Sequence, residues 1–125
     1  NASRGLGDVY KRQIEKGTVV IEAPILPTTL QQQGFGHAGL SFSIGDSAAG
    51  YSALTMMEPD LEVMTAEIKM NLLSPADGDF LRAKGRIVKS GKRLIVVTSE
   101  VHAHKGRNSK LIALMQGPMV PVPCS

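Results

Sequence analysis

A histidine, a glycine and an aspartate stand at spacings that suit chemistry on a carbonyl group. His37, Ala38 and Gly39 end a polar segment, and Asp46 follows seven residues after Gly39 on a stretch with helical periodicity. A helix N-terminus offers unpaired N–H groups and a partial positive charge, and a glycine there lets a carbonyl oxygen approach closely. A carboxylate can activate water or attack the carbonyl carbon directly. These residue types are compatible with chemistry on a carbonyl compound, such as its hydrolysis.

Each of these residues also has a purely structural interpretation. Asp46 could be a solvated helix residue, but it interrupts Ile44 and Ala48 on a helix that should be buried, where an unpaired carboxylate is costly. His37 could fix the turn rather than react. Gln31 could hold substrate or water, or be an ordinary loop residue. Asp46 is therefore the catalytic candidate, and the roles of His37 and Gln31 stay open.

The other reactive side chains suggest no further chemistry. His102 and His104 point the same way on a predicted strand, but no third ligand is in sight, so we predict no metal site. Cys124 is the single cysteine, on a Pro-flanked tail, which excludes an intrachain disulfide and makes it a poor nucleophile. A reducing, cytoplasmic setting fits this best. The six methionines are expected in the core and along the lining of a binding pocket.

Residue periodicity predicts the elements that hold these side chains. β-Branched residues predict a first strand over 17–24, and apolar spacing predicts a helix over 38–57. Gly45 and Gly50 keep this helix thin, so we expect other backbone to pack closely against it. Four more strands are predicted over residues 63–73, 80–88, 94–103 and 111–119.

Local features refine these strands and define the fold class. In the segment 63–73, Met64 belongs to an apolar set that alternates with Thr65 and other polar residues. Residues 89–92 predict a hairpin loop. Pro118 lacks a ladder donor, so the last strand should be an edge or bulged there. Together they predict an α+β fold, an antiparallel five-stranded sheet wrapped around one long helix. An exposed sheet edge favours pairing between subunits.

Composition and charge exclude several classes of function. At 42% hydrophobic and 20% charged the chain is globular, and no apolar run approaches the roughly 20 residues of a membrane span. Residues 14–81 hold two basic and nine acidic residues, whereas residues 82–110 hold nine basic and one acidic. A basic half suggests an anionic partner. Aromatic residues for stacking bases are absent from it, so a phosphorylated small molecule is favoured over nucleic acid, with a solvated surface as the alternative.

The first residues do not belong to the predicted domain. Asp8 to Gln13 reads as the translated end of a transposon adapter used in sequencing-library preparation, joined to a truncated environmental gene. The alternative is a native disordered tail. We expect residues 1–13 to be a non-native tail and residues 14–125 to form a single domain. A deletion that starts the chain at Ile14 should then keep solubility and activity.

The segment from Gln31 to Asp46 resembles the PaaI-like branch of the hotdog-fold thioesterases. That family has an Asn or Gln, then a Gly, then His-Gly-Gly opening the central helix, and an acidic residue nine positions after the His. Gln31, Gly34, His37, Gly39 and Asp46 match this order and spacing. The resemblance extends over residues 17–120 and includes the Asn-Leu-Leu-x-Pro strand and the Gly-Lys turn.

The resemblance implies a hotdog domain that hydrolyses an acyl-CoA, as a homodimer or a dimer of dimers. The implied catalytic residues are Asp46 as base or nucleophile and Gly39 at the helix N-terminus, with His37 and Gln31. The residues assigned to substrate binding are Asn71, Lys89, Gly91, Lys92 and Arg93, of which the cations would contact CoA phosphates. No metal, no cofactor besides the CoA of the substrate, no nucleic acid and no membrane are expected.

Two departures from the family pattern and two alternative functions remain. Ala38 replaces the middle glycine of His-Gly-Gly and demands an ordinary backbone angle there. Gly50 replaces the hydroxyl residue that some relatives carry four positions after the carboxylate. A hotdog hydratase or dehydratase would pair a His with an acid in other motif settings, which are absent. A non-catalytic acyl-CoA-binding module would need no buried carboxylate, so Asp46 argues against it.

Overall fold

The computed structural model describes residues 11–25, 35–75 and 77–123, which form one helix and a seven-stranded antiparallel sheet. The elements are β1 (Lys11–Glu15), β2 (Thr18–Pro24), α1 (Phe35–Leu54), β3 (Leu61–Thr65), β4 (Lys69–Leu72), β5 (Phe80–Ser90), β6 (Ile95–Lys105) and β7 (Asn108–Pro123). The strand order is β1-β2-β5-β6-β7-β3, and β4 also pairs with β7. The predicted α+β class is confirmed, with two more strands than the five expected. No helix in these ranges is long and apolar enough to cross a membrane.

The core lies between α1 and the concave face of the sheet. Along β6, buried and half-buried side chains alternate, as expected where one face of a strand packs on a helix. From the helix, Ile44 and Ala48 pack against buried aliphatic side chains of β2, β5, β6 and β7. Ala49 and Ala53 continue the same face toward the C-terminal end of α1. The sheet therefore curls around one side of the helix, as its amphipathic strands predict.

The backbone of one strand packs closely against α1. A Cβ at Gly85 on β5 would collide with the backbone of Ala48 and Ala49, so the helix lies directly on this strand. Gly45 is covered by the side chain of Met115. The prediction that backbone packs closely against the thin helix is confirmed at Ala48 and Ala49, whereas the helix glycine Gly45 faces a side chain.

The predicted strand over 63–73 is two strands, because one extra residue interrupts its pairing. Thr65 pairs with Met119 and Lys69 pairs with Gln116, so four steps on this side match three on β7. An extra residue of this kind is a β-bulge, which locally disrupts the ladder and bends the strand.

Pro118 and Gly117 lie on β7 directly opposite this bulge. The backbone N–H groups of Ala66 and Glu67 both donate to the carbonyl oxygen of Pro118, at 3.2 and 3.4 Å. The carbonyl of Glu67 comes so close to Gly117 that a Cβ there would collide with it. The sequence predicted an edge or a bulge at Pro118. The structure shows that β7 has neighbours on both sides and that the neighbouring strand carries the bulge.

The bulge reverses the face of β3 that was expected to contact the helix. Val63 packs against the core and Thr65 is half-buried, whereas Met64 is 54% exposed. Beyond the bulge, Met70 packs against the core as predicted. The assignment of Met64 to the apolar face and Thr65 to the polar face was wrong, because a shift of one residue moves every side chain of a strand to the other face.

Strand β1 includes part of the segment that the sequence assigned to a tail. β1 begins at Lys11 and pairs with β2 along its whole length, so the predicted domain start at Ile14 falls inside this strand. The guanidinium carbon of Arg12 lies 5.0 Å from the centroid of the Tyr51 ring on α1. This edge of the sheet therefore reaches the helix. The adapter origin of residues 1–13 stays a prediction.

Candidate active site

Asp46 lies in the middle of α1 on the side of the helix that faces β3. Its side chain is half-buried, and the hydroxyl of Thr65 donates a hydrogen bond to Oδ1 of Asp46 at 3.0 Å. A charged group in such a position needs hydrogen-bond partners to offset its loss of water. The carboxylate is thus held by a residue from a second element.

An open cleft of about 370 Å³ separates this part of α1 from β3. Its lining consists of Asp46, Ser47, Gly50, Tyr51, Leu54, Glu62, Val63 and Thr65. Tyr51, Leu54 and Val63 supply apolar surface, and Asp46 and Thr65 supply polar atoms. Apolar lining with a few placed polar groups is typical of small-molecule sites. The cleft can accept an apolar group beside a fixed carboxylate.

Tyr51 and Thr65 are site residues that sequence reasoning missed. Thr65 was assigned to the wrong face of its strand because the bulge was not foreseen. Tyr51 received no role from the sequence, and it contacts the core as well as the cleft. Its helical spacing from Ser47 and Leu54, four residues before and three after, could have indicated a common face beside Asp46.

The start of α1 differs from the expectation for Gly39. The helix begins at Phe35 instead of Ala38, so Gly39 is its fifth residue and its N–H falls within the range of the intrahelical ladder. The unpaired N–H groups of a helix belong to its first turn, here the residues before Ala38, His37 among them. Gly39 and Asp46 are seven residues apart, or about 10 Å at 1.5 Å per residue. One chain does not bring these two candidates together.

Two predicted catalytic residues cannot be placed in this geometry. Gln31 lies outside the described residues. For His37 the structure describes a helical backbone, and its side chain lies outside the described part. Gly39 is exposed, and a Cβ there would meet no atom within 4 Å in the described part of the chain outside its own helix backbone, so packing against these residues does not require glycine. The roles of all three residues stay predictions.

The predicted substrate-binding residues lie apart from the Asp46 cleft. Asn71 is exposed on β4 and lines a second cleft of about 530 Å³, with Lys69 and Gln116 among its other lining residues. The other predicted binding residues are all exposed. Lys89 lies near the end of β5, and Gly91, Lys92 and Arg93 lie on the connection to β6. The predicted hairpin loop over 89–92 thus lies two residues later, at 91–94. The N–H of Gly91 donates to the carbonyl of Leu94 at 2.9 Å and closes this hairpin.

His102 and His104 belong to the convex face of the sheet, on the opposite side from α1. The ring of His104 stacks on Phe80 with centroids 4.7 Å apart. Burial lowers the pKa of His104, and the positive charges of Arg82 and His102 lower it further, whereas Glu22 opposes them. Arg82 also forms an ion pair with Glu22 at 3.4 Å. These histidines are therefore packed surface residues, distant from the cleft.

One long helix inside a curled antiparallel sheet, with a carboxylate on the open side of the helix, defines a hotdog-fold protein with an enzyme-like cleft. The chain belongs to the thioesterase superfamily, whose family model matches residues 33–110. The match includes α1, the cleft and the β5–β6 hairpin. The predicted resemblance to hotdog thioesterases is confirmed.

Individual relatives agree with this assignment. A Saccharolobus solfataricus protein with the provisional name of an esterase is 30% identical over 100 residues, which cover 80% of this chain and 71% of that protein. The 1,4-dihydroxy-2-naphthoyl-CoA hydrolase of Listeria monocytogenes is 29% identical over 79 residues, 63% of this chain and 64% of that enzyme. The crystal structure of a thioesterase family protein from Silicibacter pomeroyi has a TM-score of 0.87 at 32% identity, and covers 94% of this chain and 86% of that one.

Proposed function

We propose that this protein hydrolyses an acyl-CoA, with an aryl or medium-chain acyl group, to the free acid and CoA. The observation that carries the proposal is the carboxylate of Asp46, held by Thr65 in the wall of a largely apolar cleft. The Listeria relative is named as a hydrolase of an aromatic acyl-CoA, which favours the same class of substrate.

Asp46 can act on the thioester in two ways. As a general base it removes a proton from water, and the water oxygen attacks the carbonyl carbon. As a nucleophile it attacks the same carbon and forms an acyl anhydride that water then hydrolyses. In both routes N–H groups of a helix first turn stabilise the oxyanion, and the CoA thiolate leaves and takes up the proton. Water completes the balance, so the reaction needs no metal and no further cofactor.

The separation of Gly39 and Asp46 supports a site built from two chains. An aspartate side chain reaches only a few ångströms, far less than the roughly 10 Å between these positions on one helix. If both residues serve one thioester, one comes from each subunit of a two-fold dimer, and each dimer holds two sites. Strand β3 lies at the sheet edge beside the cleft and exposes Met64, which suits pairing with a second copy. Two such dimers could associate further.

The exposed β5–β6 hairpin is the proposed contact for the phosphates of CoA. Lys89, Lys92 and Arg93 present three cations in five residues, and the hairpin lies within the part of the chain that matches the family. Cations of this kind attract a polyanion over a distance set by salt. Asn71 and Gly91 complete the proposed binding residues.

A panel of acyl-CoAs incubated with the protein and a thiol reagent tests this function. We expect release of free CoA thiol, and the Asp46→Asn variant should lose about 10²- to 10⁴-fold in kcat while its fold and CoA affinity stay nearly intact. Asp60→Asn is the matched control, because it removes an exposed carboxylate from the turn after α1.

The alternatives give different results in the same assay. Binding of acyl-CoA without thiol release would identify a non-catalytic binding module. Conversion of an unsaturated acyl-CoA with its thioester intact would identify a hydratase. Near-wild-type turnover by Asp46→Asn would show that the carboxylate is structural.

A further inference from the structure

The carboxylate of Asp46 needs a neighbour to fix its orientation. The terminal torsion of an aspartate side chain is broad, so the direction of its two oxygens is set by hydrogen bonds rather than by the backbone. Among the described residues, the hydroxyl of Thr65 is the one hydrogen-bond donor to Asp46. This donor engages Oδ1 and leaves the second oxygen available.

The helix offers no side-chain donor three or four residues after Asp46, and the described donor comes from the sheet. Gly50 follows Asp46 by four residues, so it lies next to it on the same helix face, and it lines the same cleft. Gly50 has no side chain that could donate. A Cβ at this position would meet only Val63 Cγ1 at 3.7 Å and Met119 Cε at 4.0 Å, which are ordinary contacts. The position is open to a small side chain.

The bulge between β3 and β4 brings the hydroxyl into reach. Side chains alternate between the two faces of a strand, and Met70 faces the helix. Without the extra residue between Thr65 and Lys69, this alternation would place Met64 toward the helix and Thr65 on the convex face of the sheet. The bulge therefore has a consequence at the cleft, where it replaces an apolar side chain with a hydroxyl.

We propose that Thr65 is a positioning residue, whose hydroxyl on the strand orients the carboxylate of Asp46. Position 50 on the helix has room for a hydroxyl side chain, which would orient the same carboxylate in place of Thr65. The inference rests on the proposed function, in which Asp46 acts as base or nucleophile. A carboxylate that rotates freely still allows substrate to bind. It attacks or activates water less often, because the reacting atoms must be aligned at short distance.

Removal of the Thr65 hydroxyl should therefore lower kcat and leave KM nearly unchanged. For Thr65→Val, which keeps the shape of the side chain, we expect a roughly 10- to 100-fold loss in kcat with KM within about twofold. Thr65→Ser retains the donor and should recover most of kcat. Thr98→Val removes the same hydroxyl from the convex face of β6 and is the matched control. Thr65→Ala also removes the hydroxyl but is smaller than valine. It should lose as much kcat as Thr65→Val, and it replaces that variant if valine disturbs the packing.

A double variant tests the exchange of the donor. Both Gly50→Ser and Gly50→Ala are introduced into the Thr65→Val protein. The double variant with serine should have the higher kcat, because both remove the glycine but only serine can donate a hydrogen bond to Asp46. Equal kcat of the two double variants would contradict the exchange. Wild-type kcat of Thr65→Val, or a loss in Thr65→Ser as large as in Thr65→Val, would overturn the positioning role. Inactivity of Asp46→Asn in the same assay would show that the proposed function itself still stands.

Discussion

The cleft beside Asp46 and the hairpin between β5 and β6 present charged side chains in two different ways. Asp46 is half-buried and accepts a hydrogen bond from a second element. Lys89, Lys92 and Arg93 are all exposed, and among the described residues the ion pairs involve other cations, Arg82 and Lys105. In the cleft a hydrogen bond holds the carboxylate in one position, whereas in the hairpin the cationic side chains remain hydrated and free to move.

This difference indicates a division of labour between chemistry and attraction. A base or nucleophile must be aligned with the reacting carbon, so a misplacement of about 1 Å can cost roughly 10²-fold in rate. A phosphate far from the reacting carbon needs only a favourable potential, which exposed cations provide and salt screens. Changes in the cleft should therefore act on kcat, and changes in the hairpin on KM.

The largest effect is expected from combining two inactive proteins. Asp46→Asn and a folded variant defective at Gly39, such as Gly39→Val, should each be nearly inactive. After subunit exchange, one site of a heterodimer collects both defects and the other collects neither. Random exchange makes about half of the dimers mixed, so we expect about a quarter of the wild-type activity.

Gly39→Val is a suitable partner because its fold should survive. A Cβ at Gly39 would meet no atom within 4 Å among the described residues outside its own stretch of helix. Native mass spectrometry of differently tagged subunits would confirm that heterodimers have formed. If they form and activity stays absent, the site lies within one chain and the composite arrangement is wrong.

A smaller effect is expected when the hairpin loses its charge. Replacement of Lys89, Lys92 and Arg93 by Gln should raise KM for acyl-CoA several-fold and weaken its dependence on salt, with kcat little changed, because remote binding contributes equally to ground and transition states. Initial rates over a range of salt concentrations measure this. Replacing Lys105, Arg107 and Lys110, three exposed cations away from this hairpin, gives a control variant with the same loss of charge.

Acyl thioesters that lack the nucleotide provide the internal control for the hairpin. The charge-neutral variant should hydrolyse them as fast as the wild type, because they carry no phosphate. An equal loss on both substrates would show that the hairpin contributes to something other than phosphate binding.

The sequence carried enough information for the fold class and for the partial burial of Asp46, because both depend on local patterns. Small and apolar neighbours indicated that the carboxylate of Asp46 would be partly buried, and alternation indicated the strands. The partner of Asp46 could not be predicted. The face of Thr65 depends on a bulge fixed by the close approach of Glu67 to Gly117 across the sheet, and periodicity within one strand does not record such contacts.

Strand β1 was missed for a different reason. Its residues are mainly charged or polar, which is unusual for a strand, and its place in the sheet comes from pairing with the apolar strand β2. An edge strand is exposed to solvent, so polar side chains are tolerated there and carry no alternation that periodicity could detect.

Deletions at the N-terminus test whether β1 matters to the cleft. Removal of residues 1–10 should leave stability and activity unchanged. Removal of residues 1–13 should also keep activity, but it deletes three of the five β1 residues that pair with β2, and it takes Arg12 from the ring of Tyr51, which lines the cleft. It should lower the free energy of unfolding by about 1 kcal/mol or more. Denaturant unfolding compares the two. A loss of kcat that appears only in the longer deletion would make β1 part of the site.

The smallest effect concerns His104 on the convex face of the sheet, where a positive charge on its ring is disfavoured. Burial and the nearby charges of Arg82 and His102 lower the pKa of His104 from the ordinary value of 6.5. Below that value the unfolded chain binds more protons at this residue than the folded chain does. The stabilising contribution of neutral His104 is therefore complete above about pH 6.5 and decreases as the pH falls through the lowered pKa. His104→Phe keeps an aromatic ring to stack on Phe80 and removes the titration. Its melting temperature should fall less between pH 7 and pH 5 than that of the wild type, whereas kcat at neutral pH should not change. If the two proteins lose stability in parallel over this range, protonation of His104 does not contribute, and the acid sensitivity of the fold lies elsewhere.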